Sequence, residues 1–471
     1  VAYRDLQEYL KRLEEAGKLH HIQKTVDPAW EVAAVTRHVF DRYSWDERPA
    51  LCFDRVGESP WPLVVGVVGA SPSIYALALE TTEDRIPALW DKALAEPIKP
   101  EHVDSGACKE VVLRGEEVDV RAFPNAVWTP SQDPGPYITA PLVISKDPET
   151  GVRNVGTYRL QVKGPKRLGV YMGHEQHGFR HLRKYESRGE DMPVAVAIGV
   201  EPSVMLVSVT KVPFNTDEFD VAGGLRGRPV PLVKCETVDL EVPADAEIVL
   251  EGVMRKGVRE DEGPFGEYTG YMGASGLAPV IEVSAITRRR RPVYQAFLSQ
   301  MPPSESSCIR SLGRSAALRS YLGGVLGLPV TDVHFTESGG SNGIAVVALR
   351  KEHPQQVKEV AWAAWSYMNK EIKFLIVVDD DIDIRRPFEV EWAMSFRAQP
   401  ARDLMVAEDV VSIGLDPSTA SAEVPQHDPK RRIGSKMLID ATRKHAYPHA
   451  ARVPREYLDT VREDWGAYGF R

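Results

Sequence analysis

The chain has 471 residues, 43% apolar and 27% charged, which is enough for several packed domains and unlike a disordered or coiled-coil sequence. Acidic side chains outnumber basic ones by 67 to 58, so no overall cationic field exists for nucleic acid and any bound anion must be held locally. The longest apolar stretch, Leu63 to Ala70, falls far short of the ~18 residues that suggest a membrane span.

The opening segment, VAYRDLQEYLKRLEEAG, is charged from the outset and shows no signal-peptide core. Asp5 is placed to cap a helix with Leu6, Tyr9, Leu10 and Leu13 on one face, and Gly17 marks its stop. Asp27-Pro28 opens a second helix through Phe40, and the Val-rich run from Leu63 to Gly69 reads as a buried strand leading to a helix over Ser73 to Glu80. The first hundred residues therefore read as a small α/β domain. From about 108 to 300 the texture becomes β: Leu142 to Ser145, Val152 to Val162, Val194 to Gly199 and Val280 to Ile286 are runs separated by Gly, Pro and Asp. Asp147 to Gly151 lies between the first two, which predicts a hairpin with a longer loop. Beyond about 305 helices return, with Val357, Val360, Ala361 and Ala364 on one face. Phe374 to Val378 is a strand ending in Asp379, Asp380, Asp381 and Asp383, and the last forty residues read as a polar helical arm. Cys52, Cys108, Cys235 and Cys308 form no CxxC pair, so reduced thiols and a cytoplasmic location are expected.

Three strings carry candidate chemistry. Glu262-Gly-Pro-Phe-Gly-Glu267 sets two carboxylates five apart, which a regular strand would point to opposite faces. A break at Gly263-Pro264 lets both converge on one cation, and a shared arginine holds one ionised while the other carries a proton. From the spacing alone, a glycine-rich surface turn with solvated glutamates is the plainer reading. Asn154-Val-Gly-Thr-Tyr-Arg159 lies on the returning strand of the hairpin, with Asn154, Gly156 and Tyr158 on one face and Val155, Thr157 and Arg159 on the other. The planar fork of Arg159 suits two carboxylates, although a solvated or salt-bridged arginine is the plainer reading. His174, His177 and His181 follow at helical spacing without HExxH or a nearby cysteine, so one histidine among oxygen ligands to magnesium or manganese is favoured over catalytic zinc. Hydrogen-bonded structural histidines stay open. GxGxxG, GxxxxGK[ST] and GxSxG are absent, and Gly223-Gly224-Leu225-Arg226-Gly227 is weak evidence for phosphate binding.

Together and in this order, these strings resemble the UbiD family of reversible decarboxylases, which use prenylated FMN. The resemblance extends through YRDLQEYL, GVEP at 199–202, KCETVDLEVPADAEIVLEG at 234–252, VVDDDID ending at Asp383, and Gly434 to Thr442. It implies an α/β (α+β multidomain) fold: an N-terminal α/β domain (1–107), a central split β-barrel flavin-binding domain (108–304), and a C-terminal α/β dimerisation domain with a helical arm (305–471). Arg159, Glu262 and Glu267 match the catalytic trio, with Glu267 as proton donor, Arg159 binding the substrate carboxylate and Glu262 as its second anchor. Asn154, His177 and Glu218 match the ligands of Mn2+ (or Mg2+), with K+ beside it. Gln176, His177, Ser208 and Lys370 match cofactor contacts, with Lys373 competing for the role of Lys370.

The implied reaction is reversible, non-oxidative decarboxylation of an aromatic, heteroaromatic or α,β-unsaturated acid through a covalent adduct with prenylated FMN. Implied partners are the carboxylic acid and CO2, a flavin prenyltransferase as cofactor supplier, and a second copy in a homodimer or higher homo-oligomer, with neither nucleic acid nor a membrane span. Arg310 lies where relatives line the substrate pocket and points to a second carboxylate or other acceptor on the substrate, or else to a neighbouring acid of the protein. A metal-dependent hydrolase and a non-catalytic flavin-binding subunit are the alternatives.

Overall fold

The computed structural model describes residues 3–210, 212–419 and 433–469. Asp5 accepts from the Glu8 amide at 2.8 Å and starts the helix Leu6–Glu15, whose Leu6, Tyr9, Leu10 and Leu13 are buried as the spacing predicts. The second helix begins later than expected, as Glu31–Arg42, because the Asp27 carboxylate takes the Ala29 amide in a turn first. Only Leu63–Val65 of the long apolar run is strand, and the next helix is Pro72–Ala78.

A four-stranded sheet runs Leu19–Ile22, Ala50–Phe53, Leu63–Val65, Tyr294–Ala296. Its last strand arrives from the region read as the β domain and pairs parallel with Leu63–Val65. One continuous apolar core accordingly reaches from Tyr3 to Ile309.

The central sheet has nine strands, and all its pairings are antiparallel. Along its main path the outer strands are Tyr137–Ile138, followed by Leu160–Gly164, at one end, and Pro141–Lys146, followed by Arg153–Thr157, at the other. The chain nevertheless crosses from end to end twice with only two residues, Thr139-Ala140 and Tyr158-Arg159. Three Cα steps span at most about 11 Å. The sheet must therefore curl so that its two ends approach each other at these crossings, and Arg159 lies in this seam. This corrects the expectation of one strand from Val152 to Val162: the alternation continues through Tyr158 and Arg159, but they link two strands at opposite ends of the sheet.

Beyond the helix Glu305–Arg319, a five-stranded sheet runs Val330–Phe335, Ile344–Leu349, Phe374–Asp379, Ile433–Ala441, Leu404–Val411, with separate apolar clusters around Val347 and Val346. The helix Gln356–Tyr367 buries Val357, Val360, Ala361 and Ala364. The last forty residues are not all helical arm. Ile433–Ala441 is a strand between two others, its Gly434, Lys436 and Asp440 having masked the apolar alternation, and the helix Arg455–Glu463 follows with no buried residue. Among the described residues no helix is long and apolar enough to cross a membrane.

Candidate active site

Glu262 ends the strand Ile248–Glu262, and Gly263, at φ +84°, turns the chain into the short strand Phe265–Gly266. A side chain at that φ would be strained. The turn brings both carboxylates back to the seam. Arg159 donates through Nε to Glu262 Oε1 at 2.9 Å and through one terminal nitrogen to Oε2 at 3.0 Å, and its other terminal nitrogen holds Glu267 Oε1. The trio is sheltered, with side-chain exposures of 9% for Arg159, 2% for Glu262 and 12% for Glu267. The surface-turn reading of this string is thereby excluded.

Tyr171 and Phe265 cover the guanidinium, with ring centroids 4.1 and 4.9 Å from its carbon. Burial opposes the charge on Arg159, but Glu267 and Glu262 outweigh it and hold its pKa above the ordinary guanidinium value. Burial, reinforced by Glu267, pushes the Tyr171 hydroxyl up to about 12. Neither aromatic was singled out in the sequence, where nothing marks a ring that lies over a distant arginine.

Asn154, His177 and Glu218 gather on the strand Arg153–Thr157, which carries Asn154. The helix His177–Arg188, starting at His177, and the helix Glu218–Arg226, starting at Glu218, both pack on that strand. The Tyr158 hydroxyl joins two of these segments, accepting from Asn154 Nδ2 at 3.3 Å and from the Gly178 amide at 3.4 Å. Glu218 Oε2 accepts from the Val155 amide at 2.8 Å, and burial raises its carboxyl to about 8. Burial lowers the His177 pKa, which favours the neutral imidazole that binds metals. A mixed oxygen and imidazole set of this kind fits manganese or magnesium.

The other two histidines go elsewhere: His181 Nδ1 lies 3.0 Å from Ser145 Oγ, and the His174 ring stacks on Phe179 at 4.6 Å. Gly223 and Gly224 are helical residues, and a Cβ on Gly223 would come within 2.2 Å of the Ile98 carbonyl oxygen, so helix packing explains the glycine run.

Gln176 precedes the His177 helix and accepts from the Gly173 amide at 2.7 Å, and Ser208 Oγ lies 2.8 Å from Thr157 Oγ1. Lys370 pairs with Glu175, next to Gln176, whereas Lys373 is bound to Asp416 at 2.8 Å and Ser418 at 2.7 Å. The buried Lys436 donates to the carbonyls of Asn369 and Glu371, at 2.9 and 2.6 Å, and so fixes the backbone on both sides of Lys370.

Arg310 lies over the Tyr268 ring at 4.3 Å and donates to the Ser306 carbonyl at 3.0 Å. Burial, reinforced by Arg314, lowers its guanidinium to about 10, with Tyr268 and Glu267 acting in the other direction. Among the described residues no carboxylate is within ion-pair distance of Arg310, and Glu267 acts on it only from further away. The Tyr268 hydroxyl accepts from Asn342 at 2.7 Å, and Arg314 donates to the same carboxamide at 2.7 Å.

A buried carboxylate pair on one arginine, in the seam of a curled antiparallel sheet, defines a site for acid–base chemistry within a mixed α/β multidomain protein. The N-terminal, Rift-related and C-terminal domains described as those of 3-octaprenyl-4-hydroxybenzoate carboxy-lyase match residues 10–94, 101–302 and 308–441. The chain belongs to the UbiD family and is a decarboxylase, a carboxy-lyase. An uncharacterised protein of Archaeoglobus fulgidus is 34% identical across 98% of this chain and 96% of its own length. The UbiD-class enzyme HmfF from Pelotomaculum thermopropionicum, in complex with FMN, is 37% identical, covers 97% of this chain and 98% of its own, and superposes with a TM-score of 0.87. An evolved dimeric form of HmfF in complex with prFMN gives 36%, the same coverage and 0.85. Vanillic acid decarboxylase from Sedimentibacter hydroxybenzoicus, in open form, is 27% identical over 99% of this chain and 100% of its own, with a TM-score of 0.84.

Proposed function

We propose that this decarboxylase acts reversibly and without net oxidation on an aromatic, heteroaromatic or α,β-unsaturated carboxylic acid, with prenylated FMN as cofactor. The observation that carries the reading is the shared grip of Arg159 on Glu262 and Glu267, supported by the FMN and prFMN complexes of HmfF. When bound, the flavin supplies the electron sink that no amino-acid side chain offers. Asn154, His177 and Glu218 would hold a divalent ion, manganese or magnesium, that neutralises the phosphate of the cofactor, and potassium would be the second cation. Gln176 and Ser208 would contact the bound cofactor, and Lys370 would supply a positive charge for its phosphate.

The chain's own residues then have separate tasks. Glu262 fixes the guanidinium through two parallel hydrogen bonds, which orients Arg159 toward the substrate carboxylate. Glu267 is held by one nitrogen only. A substrate carboxylate arriving at that nitrogen takes over its hydrogen bond, and Glu267, once it has taken a proton from solvent, delivers that proton to the carbon that loses CO2. Tyr171 and Phe265 keep water off the charged group. Arg310 meets a second carboxylate or other acceptor on the substrate.

In the same reading, the curled sheet is a split β-barrel, and the chain divides at about 107 and 304 into N-terminal, flavin-binding and dimerising parts. The enzyme works in the cytoplasm as a homodimer and receives its flavin from a prenyltransferase. The test is production with and without a flavin prenyltransferase, followed by absorption spectra and a screen of aromatic acids for CO2 release. Decarboxylation only by protein from the prenyltransferase strain is expected. Equal activity in protein free of flavin and reloaded with manganese would favour the hydrolase instead.

A further inference from the structure

The N-terminal sheet brings together three side chains that the decarboxylation site does not use. His21 and Cys52 are register partners on parallel neighbouring strands, so both leave the same face of the sheet. Asp54, two residues beyond Cys52, returns to that face. Ligand atoms of all three lie within 4.8 Å of one another. His21 Nδ1 is 2.8 Å from Asp54 Oδ1, and the Cys52 thiol donates to the same oxygen at 3.4 Å. Bonds of about 2.0 to 2.3 Å to a tetrahedral ion space the ligands by about 3.3 to 3.8 Å, so only small side-chain shifts are needed.

Glu14 supplies an independent observation. It stands near the end of the helix Leu6–Glu15 with Oε1 3.1 Å from His21 Nε2. A carboxylate on the far nitrogen holds Nε2–H there and leaves the Nδ1 lone pair for a metal, as outer partners of histidine ligands commonly do.

We propose that Cys52 Sγ, His21 Nδ1 and Asp54 bind one zinc ion, with Glu14 orienting the imidazole and water completing the tetrahedron. Thiolate, imidazole and carboxylate suit zinc, whereas the oxygen-rich set around Glu218 suits a harder ion. Binding forms the S–Zn bond and releases the thiol proton to solvent. Cys52 is buried, but the side chains of His21 and Asp54 are 40% and 33% exposed, so the ion enters from the edge of the sheet and retains an open position.

The test uses the full chain titrated with cobalt as a zinc probe. One equivalent should give a thiolate-to-cobalt charge-transfer band in the near ultraviolet, bleached by zinc. No thiol belongs to the catalytic or Glu218 sets, so the band reports on this site alone. Cys52→Ser should abolish it and Cys235→Ser should preserve it. Because Cys52 is buried, His21→Gln and Asp54→Asn at the exposed positions serve as second variants, each weakening zinc binding at least ~10-fold, and Glu14→Gln should weaken it ~10-fold by loosening the ring. No band in the wild type, a band that survives Cys52→Ser, or zinc affinity unchanged by His21→Gln overturns the proposal.

Discussion

Arg159 grips both oxygens of Glu262, at 2.9 and 3.0 Å, and gives Glu267 a single nitrogen. The two carboxylates are chemically identical, yet one is locked and the other is free to change partner. In the proposed function, that asymmetry separates an orienting residue from a proton carrier.

Glu267→Gln should keep flavin bound and lower turnover by ~100-fold or more, the usual scale for loss of a general acid. The flavin spectrum and the rate of CO2 release measure the two effects separately. Wild-type turnover in this variant would falsify the assignment of the proton.

Arg159→Ala leaves two sheltered carboxylates without their cation. Breaking a buried pair in this way costs about 3 kcal/mol or more. A clear fall in Tm is expected near neutral pH. An unchanged Tm at neutral pH would mean that the trio is not buried as described.

Arg310→Ala should erase any preference for acids with a second acceptor group while leaving simpler acids as substrates. Competition between a diacid and its monoacid analogue reads this as a ratio of kcat/KM. The same ratio in the variant would remove Arg310 from the substrate pocket.

His181 gives a pH test of packing. Burial lowers its pKa from 6.5 to about 4, with Asp147 acting weakly in the other direction. Between these values the unfolded chain binds a proton that the folded chain refuses. The contribution of His181 is therefore complete above pH 6.5 and is lost as the pH falls toward 4, by at most about 1.4 kcal/mol per pH unit. His181→Asn removes this titration, so its stability deficit relative to the wild type should narrow across that window. Parallel profiles would show that His181 titrates normally.

What the sequence shows of this molecule follows the range of the interaction involved. The first helix is legible because Asp5 and the Leu6, Tyr9, Leu10, Leu13 stripe are local, and so is the break at Gly263-Pro264. The seam is not, because whether Tyr158 and Arg159 continue a strand or cross between two depends on pairings made elsewhere in the sheet. Ile433–Ala441 is hidden for a related reason: its polar residues look solvent-facing until strands are laid on both sides. The resemblance named the trio. The rings over Arg159 and the His21 to Cys52 pairing needed the folded chain.

The two-residue crossing at Tyr158-Arg159 leaves the chain no slack. Asn154, five residues before Arg159, and the guanidinium hang from one short tether, as if two tools shared a handle. A shift of the strand where the ion is proposed to bind is therefore passed to the arginine as a displacement. If the ion binds as proposed, loading it and aligning the acid–base pair are linked through this tether, and an inserted residue at 158 should uncouple them.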